Sequence, residues 1–420
     1  MTTARQRQRI IHAVKKRVLK NHFNVAGVSY TDWITLIDVR TPQLLTVPEN
    51  EFETELQDIL RGLKSSHTGF YHERPNRLFP QHTINASLWP PEGDGGPWYF
   101  LDVFPEGPAD RAGIKPGHKL HQVDGVPYIA PDMPPFRTGH THTLVVSEPH
   151  DKNTREITLE LPRRKVTKEL PPLLPPKSMT HSEIAPGIGL LRITWFPGAI
   201  GLKFARALDS AIADLKAHGC DHLIIDLRGN IGGGLGFARL ASYLCPNGIP
   251  IGYSLTPKRL RKGFKTEDLE RVVYPDSRFG FAAALTRFAV RDKSIFLMTQ
   301  GLGDQPFHGK IVMLVNRWTN SAAEMLVSFA AENRLATLIG TKTAGNVLGA
   351  VNFKTGGGYF LRLPVFGWYS IKGECVEGKG VAPDFAVEVD PNELNSGIDQ
   401  QMIAAIAVLS GERCAQAAVR

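Results

Sequence analysis

Cysteine is scarce in this chain, and the scarcity excludes two ways of building a protein. Only four occur among 420 residues, at Cys220, Cys245, Cys375 and Cys414. They show no metal-ligand spacing and are too few to staple a chain this long, so free thiols are expected and no metal is. Long apolar runs are missing as well. No stretch approaches the roughly 20 residues that a helix needs to cross a bilayer. The basic N-terminus is followed by no apolar leader core, so a cytoplasmic protein without a membrane span is expected. Acidic residues are the minority charge, 41 against 49 Lys and Arg, for a net charge of +8. The first twenty residues hold seven Lys or Arg and no acid. Ile10, Val14 and Val18 recur four apart there, which predicts an amphipathic helix with a solvated basic face. Lys258, Arg259, Arg261, Lys262 and Lys265 form a second basic cluster, expected in a loop. Neither cluster is interleaved with aromatics on which bases could stack, so no nucleic-acid partner is expected.

What is present is the composition of a globular protein, 42% hydrophobic and 21% charged, at a length that calls for two or three domains. Residues 1–82 read as a helical segment. Leu56, Ile59, Leu60 and Leu63 give it a second amphipathic helix, stopped by the Ser65-Ser66-His67-Thr68-Gly69 turn. Residues 83–165 change to short alternating strands and turns. Residues 166–420 open on the proline-rich linker Leu170-Pro171-Pro172-Leu173-Leu174-Pro175-Pro176. A strand over Gly187–Thr194, a helix over Phe204–His218 and a buried strand over His222–Arg228 follow. Alternating strands and helices predict an α/β fold with a parallel-rich sheet covered by helices. Residues 250–309 carry no readable motif.

Two stretches at the ends of buried strands carry chemistry. Gly229-Asn230-Ile231-Gly232-Gly233-Gly234-Leu235-Gly236 leaves backbone amides uncovered. It lacks the Gly-Lys-Ser/Thr ending of a phosphate loop and the spacing of a dinucleotide fingerprint, so no nucleotide cofactor is expected. An oxyanion-binding loop remains as its functional reading. Lys310–Val315 then reads as a strand that turns at Asn320-Ser321 into a helix. Ser321 sits where free amides can hold developing negative charge, a setting for a nucleophile. Ser321-Ala322-Ala323-Glu324 is equally a capping box, and on its own that is the commoner meaning.

Asp226-Leu227-Arg228-Gly229-Asn230-Ile231-Gly232-Gly233, Asn320-Ser321-Ala322-Ala323-Glu324 and Gly380-Val381-Ala382-Pro383-Asp384 occur in that order. Together they resemble the C-terminal-processing (tail-specific) serine peptidases, over about residues 60–410. Gly107-Pro108-Ala109-Asp110-Arg111-Ala112-Gly113-Ile114, the Pro116-Gly117 turn and Val123-Asp124-Gly125 resemble the middle of a PDZ domain, which captures an extended peptide as an added strand. The resemblance implies a crotonase-like (ClpP/crotonase type) core with an N-terminal helical segment and an inserted PDZ-like, β-rich domain. It makes Ser321 the nucleophile. The better-known members use a lysine base within Gly-Lys-Gly, but here Asn346 stands at that place, and an amide accepts no proton at neutral pH. Lys342 and Lys354 fit no motif. The branch similar to the tricorn protease core draws its base from a Ser-His pair and a late glutamate, and this chain has both elements. Ser65-Ser66-His67-Thr68-Gly69 makes His67 the general base, with His72 as its rival, and Val376-Glu377-Gly378 supplies Glu377. Ser66 and Glu377 would orient His67, while the amide of Gly232 or Gly233, with that of Ala322, would hold the oxyanion.

The expected function is that of a serine peptidase acting on peptides or on protein substrates with C-terminal tails, with no cofactor. Homo-oligomeric assembly is left open. One alternative is an inactive PDZ-containing peptide-binding protein on the same fold. Another is an acyl-CoA enzyme, which the PDZ-like segment and the serine at a helix start argue against.

Overall fold

Side chains along Leu223-Ile224-Ile225 and Val312-Met313-Leu314-Val315 point alternately to both faces of a sheet, and all are apolar, so that sheet needs cover on both sides. The computed structural model, which describes residues 2–73, 80–163, 174–199, 201–275, 280, 294–303 and 310–411, has that cover. Strands Ile188–Ile193, His222–Asp226, Ile311–Val315, Thr337–Gly340 and Phe385–Ala386 are parallel, and Met179–Ala185 adds an antiparallel edge. Leu223, Ile225, Met313 and Val315 join the core beneath helices Leu202–Ala217, Gly236–Tyr243 and Ala322–Glu332. Ile224, Val312, Leu314 and Ile339 pack instead with Ala405 and Leu409 of helix Gln400–Ser410. The result is mixed α/β architecture.

Three helices, Ala4–Asn21, Tyr30–Thr46 and Glu49–Arg61, occupy the N-terminal stretch. Their apolar residues, among them Val14, Val18, Trp33, Ile37, Leu56 and Leu60, close on Phe70, Tyr359, Leu361 and Leu363 of a second sheet. Phe70 stacks on Tyr359 with ring centroids 4.9 Å apart. That sheet pairs Gly69–His72 and Gly349–Gly356 with Tyr359–Tyr369, so a strand from the chain's start lies beside one from its end. The first helix departs from the expected solvated basic face at Arg7. This residue is buried, ion-paired with Glu49 and hydrogen-bonded to the carbonyls of Leu44 and Val47.

The stretch without a motif extends the same sheet, with Pro250–Leu255, Ile295–Met298 and Glu270–Val273 joined in that order to Tyr359–Tyr369. The second basic cluster was expected in a loop, yet Lys258, Arg259, Arg261 and Lys262 lie on the short helix Pro257–Lys262. Pro257 presets the first helical angle, and the Thr256 hydroxyl accepts from the Arg259 amide at 3.2 Å. Residues 170–173 of the proline-rich stretch, and Cys414, fall outside the described residues. Cys220, Cys245 and Cys375 are free. No helix among the described residues is long and apolar enough to cross a membrane.

A third, antiparallel sheet runs Ala86–Trp89, Trp98–Val103, Lys119–Val123, Thr141–Ser147, Arg155–Glu160, with Val126–Pro127 beside the third of these. Leu88, Phe100, Leu120, Leu144 and Leu159 form its core, together with Ala109 of the short helix Pro108–Arg111. A buried contact binds it to the central sheet. Asp102 is buried, bonded by Ser87 at 2.5 Å and by the Asn316 amide group at 3.2 Å, while Asn316 Oδ1 accepts from the Gly229 amide at 3.0 Å. Burial pushes the Asp102 carboxyl upward from its ordinary pKa.

Candidate active site

Ser321 stands between strand Ile311–Val315 and helix Ala322–Glu332, with φ 55° and ψ −118°. A non-glycine residue in such a conformation stores about 1–3 kcal/mol and needs neighbours that hold it. Its amide donates to the Asn346 carbonyl at 3.0 Å and to Glu324 at 3.3 Å. The preceding Asn320 amide donates to the Asn230 carbonyl at 2.9 Å. The glycine loop presses close: a Cβ added at Gly232 would lie 2.6 Å from the Ser321 Cβ. Only glycine allows that approach.

Glu324 does more than cap its helix. It is fully buried and also accepts from the Thr343 hydroxyl at 2.6 Å, the Gly345 amide at 2.6 Å and the Asn346 amide at 2.8 Å. The carboxylate thereby fixes the Thr343–Asn346 loop against the serine. Glu324→Gln would turn an amide N–H₂ toward donors that need acceptors. Destabilisation of about 3 kcal/mol is expected, read as a lower melting temperature. An unchanged melt would mean that the loop is held by something else.

Ser66, His67 and Glu377 come together although 311 positions separate Ser66 from Glu377. Glu377 accepts from the Ser66 amide at 2.8 Å, the Ser66 hydroxyl at 2.9 Å and the Val347 amide at 2.9 Å. The Ser66 hydroxyl also lies 2.9 Å from His67 Nδ1. A serine has one hydroxyl proton, and here it goes to the carboxylate. His67 must therefore donate its Nδ1–H to Ser66, which leaves Nε2 with a lone pair. The turn is strained at His67, whose φ is 57°. Val347 follows Asn346, whose carbonyl takes the Ser321 amide, so one short segment links Glu377 to the serine. No hydrogen bond joins His67 to Ser321 itself.

The amides of the glycine loop are not all engaged alike. The Gly232 amide donates to Asn230 Oδ1 at 2.8 Å. Asn230 is fully buried, its amide group anchored on the Ile193 carbonyl at 2.8 Å. Gly233 is exposed, and neither its amide nor that of Ala322 is engaged among the described residues.

His72 is held elsewhere. It faces the helical layer, edge-on to Tyr359 at 4.8 Å, with its amide on Glu53. Lys342 and Lys354 are exposed. The Asn346 amide group donates to Asn320 Oδ1 at 2.8 Å, a positioning contact beside the serine. Sequence reasoning missed His22, which bridges the Tyr30 hydroxyl at 3.0 Å and Ser65 at 2.9 Å and so braces the turn carrying Ser66 and His67. It also missed Arg362 and His82, which lie close enough to His67 to act on its charge.

Burial, aided by Arg362 and His82, pushes His67 down to about 3. Burial pushes His22 down to about 4, and burial with Arg362 does the same to His82. All three are neutral when folded but take up protons in the unfolded chain below its ordinary value of 6.5. The unfolded state then binds more protons, so stability is full above 6.5 and falls as pH drops toward 4. Each ring contributes up to about 1.4 kcal/mol per pH unit. Thermal melts should decline steadily below pH ~6.5. A flat profile down to pH ~5 would show that the rings are not held neutral.

Fold and site together define an α/β protein with a strained serine at a helix start and a Ser–His–Glu array beside it. Residues 187–387 match the model of peptidase family S41. The carboxyl-terminal-processing protease of Synechocystis sp. is 26% identical over 321 residues, covering 72% of this chain and 63% of that protein. The carboxy-terminal processing protease CtpA of Bacillus subtilis is 24% identical over 345 residues, covering 80% and 63%. The chain thus aligns with somewhat under two thirds of either relative. Among solved structures, the photosystem II D1 C-terminal processing protease superposes with a TM-score of 0.56 at 19% identity, covering 96% of this chain and 97% of that one. Mature CPAF complexed with lactacystin gives 0.60 at 15% identity, covering 97% and 99%. At those identities the likeness is one of fold.

Proposed function

We propose that this chain is a serine peptidase that cleaves peptides or the C-terminal tails of proteins through an acyl-enzyme on Ser321, with His67 as general base. The observation that carries the reading is the Glu377–Ser66–His67 chain of hydrogen bonds, which leaves Nε2 as the basic nitrogen. Nε2 takes the proton of Ser321 as the hydroxyl attacks the scissile carbonyl, and returns it to the leaving amine. The catalytic contact forms as substrate seats, since such bonds are often long in free enzymes. The amides of Gly233 and Ala322 hold the oxyanion, each worth about 3 kcal/mol of barrier.

The division into 1–82, 83–165 and a crotonase-like core over 166–420 belongs to the same reading, as do the PDZ-like role of the third sheet and a cytoplasmic location. The strand order and the short Pro108–Arg111 helix support a peptide-capturing role for that sheet. The test is labelling by a fluorophosphonate probe of wild type, Ser321→Ala, His67→Ala and Lys342→Ala. Loss in the first two variants and retention in the third supports a serine hydrolase with a histidine base. A folded wild type that resists labelling with and without C-terminal peptides would favour a binding protein instead.

A further inference from the structure

Arg362 is a half-buried cation on the second sheet. It makes no ion pair and donates no side-chain hydrogen bond among the described residues. Burial lowers its pKa, and the Tyr71 hydroxyl is the group that counters this. Its place is set by register. On strand Tyr359–Tyr369 it lies opposite Gly69 of Gly69–His72 and opposite Asn352 of Gly349–Gly356. Alternation puts Gly69, Tyr71, Asn352, Phe360 and Arg362 on the sheet face turned away from the three helices. The other face carries Phe70, Tyr359, Leu361 and Leu363 into the helical core. Tyr71 packs on Phe360 with centroids 5.8 Å apart and walls one side. Gly69 adds no side chain over the guanidinium on the other. His67 lies two residues before Gly69 and within electrostatic reach of Arg362, as does His82.

A partly desolvated guanidinium with no acidic partner among the described residues stands ready for a ligand of opposite sign. A guanidinium presents a planar fork of donors that matches a carboxylate in two parallel bonds. Its position beside the base matters too, because that base must hand a proton to the departing amine. We propose that Arg362 is a specificity residue that binds a carboxylate on the departing, C-terminal side of the scissile bond. This rests on the peptidase reading above. The carboxylate is either the free C-terminus of the peptide or the side chain of an Asp or Glu placed shortly after the cleavage point.

The experiment compares fluorogenic peptides of one sequence, ending one to four residues beyond the cleavage point. Each is made as the free acid, as the C-terminal amide, and as the amide with a Glu replacing one of those residues. Wild type, Arg362→Gln and Arg362→Lys are assayed on all three sets. Wild type should prefer a carboxylate form over the plain amide by about tenfold or more in kcat/KM, mostly through KM. Preference for the free acid identifies the C-terminus as the ligand, and preference for the Glu amide identifies a side chain. Arg362→Gln should lose activity on the preferred form alone, while Arg362→Lys keeps part of the preference. Arg362→Gln should melt no lower than wild type, since it removes a half-buried charge without breaking an ion pair. Equal cleavage of all forms by wild type would overturn the inference and leave the peptidase reading standing. So would an equal loss on every form in Arg362→Gln with a lowered melt, which is the mark of a structural role. Failure of wild type to cleave any peptide overturns the peptidase reading itself.

Discussion

Ser321→Ala will yield a folded protein that neither hydrolyses peptides nor takes up a fluorophosphonate, with kcat down on the order of 10⁵–10⁶-fold. The change removes one oxygen. The strained backbone is held by the Ser321 amide, through Asn346 and Glu324, so alanine inherits the same conformation. Alanine and serine tolerate a φ of 55° about equally, so the melting temperature should move little. Measuring both quantities on one preparation separates chemistry from folding. Residual activity above about a hundredth of wild type would mean that the attacking atom is not this hydroxyl.

The second large effect concerns the histidine turn. His67→Ala should lower kcat by on the order of 10⁴–10⁶-fold, because Ser321 then has no acceptor for its proton. Glu377→Gln is the more discriminating variant. Glu377 gives one oxygen to the Ser66 amide and the other to the Ser66 hydroxyl and the Val347 amide, so a glutamine, with a single acceptor oxygen, cannot satisfy all three donors. The Ser66 hydroxyl proton is then free to turn toward His67 Nδ1, which places the ring proton on Nε2 and blocks the base. A loss of about 10³–10⁴-fold in kcat with KM nearly unchanged is the expected signature. A loss confined to KM would assign Glu377 to substrate binding. The Lys342→Ala variant should behave as wild type, since that side chain is exposed.

The sequence was informative where chemistry is local. The strand, turn and helix around Ser321 follow from a buried apolar run, a polar turn and helical spacing within twenty residues. The Ser66–His67 turn and Glu377 were reached through resemblance alone, because residues 311 positions apart leave no trace of each other in periodicity. Gly232 and Gly233 could not be told apart for a related reason. Which amide is engaged depends on where the Asn230 side chain turns, and that is fixed by the Ile193 carbonyl on another strand. The basic helix Pro257–Lys262 was misread as loop because Lys and Arg signal solvent more strongly than Pro257 and Thr256 signal a helix start. Arg362 was invisible among 49 basic residues. Its meaning comes from the strand opposite it and from the lack of an ion pair to it among the described residues.

Asp102 has a bearing on anyone who would build chimaeras of this protein. Its carboxyl is shared between Ser87 of its own sheet and Asn316 of the turn that leads to Ser321. A Cβ on Gly229 would lie 3.0 Å from that carboxyl, so the two surfaces meet without slack. The small antiparallel sheet is therefore no detachable cassette. Excising it strands an asparagine amide and opens the floor beneath the glycine loop, and a transplanted sheet would have to bring its own aspartate at the same spot.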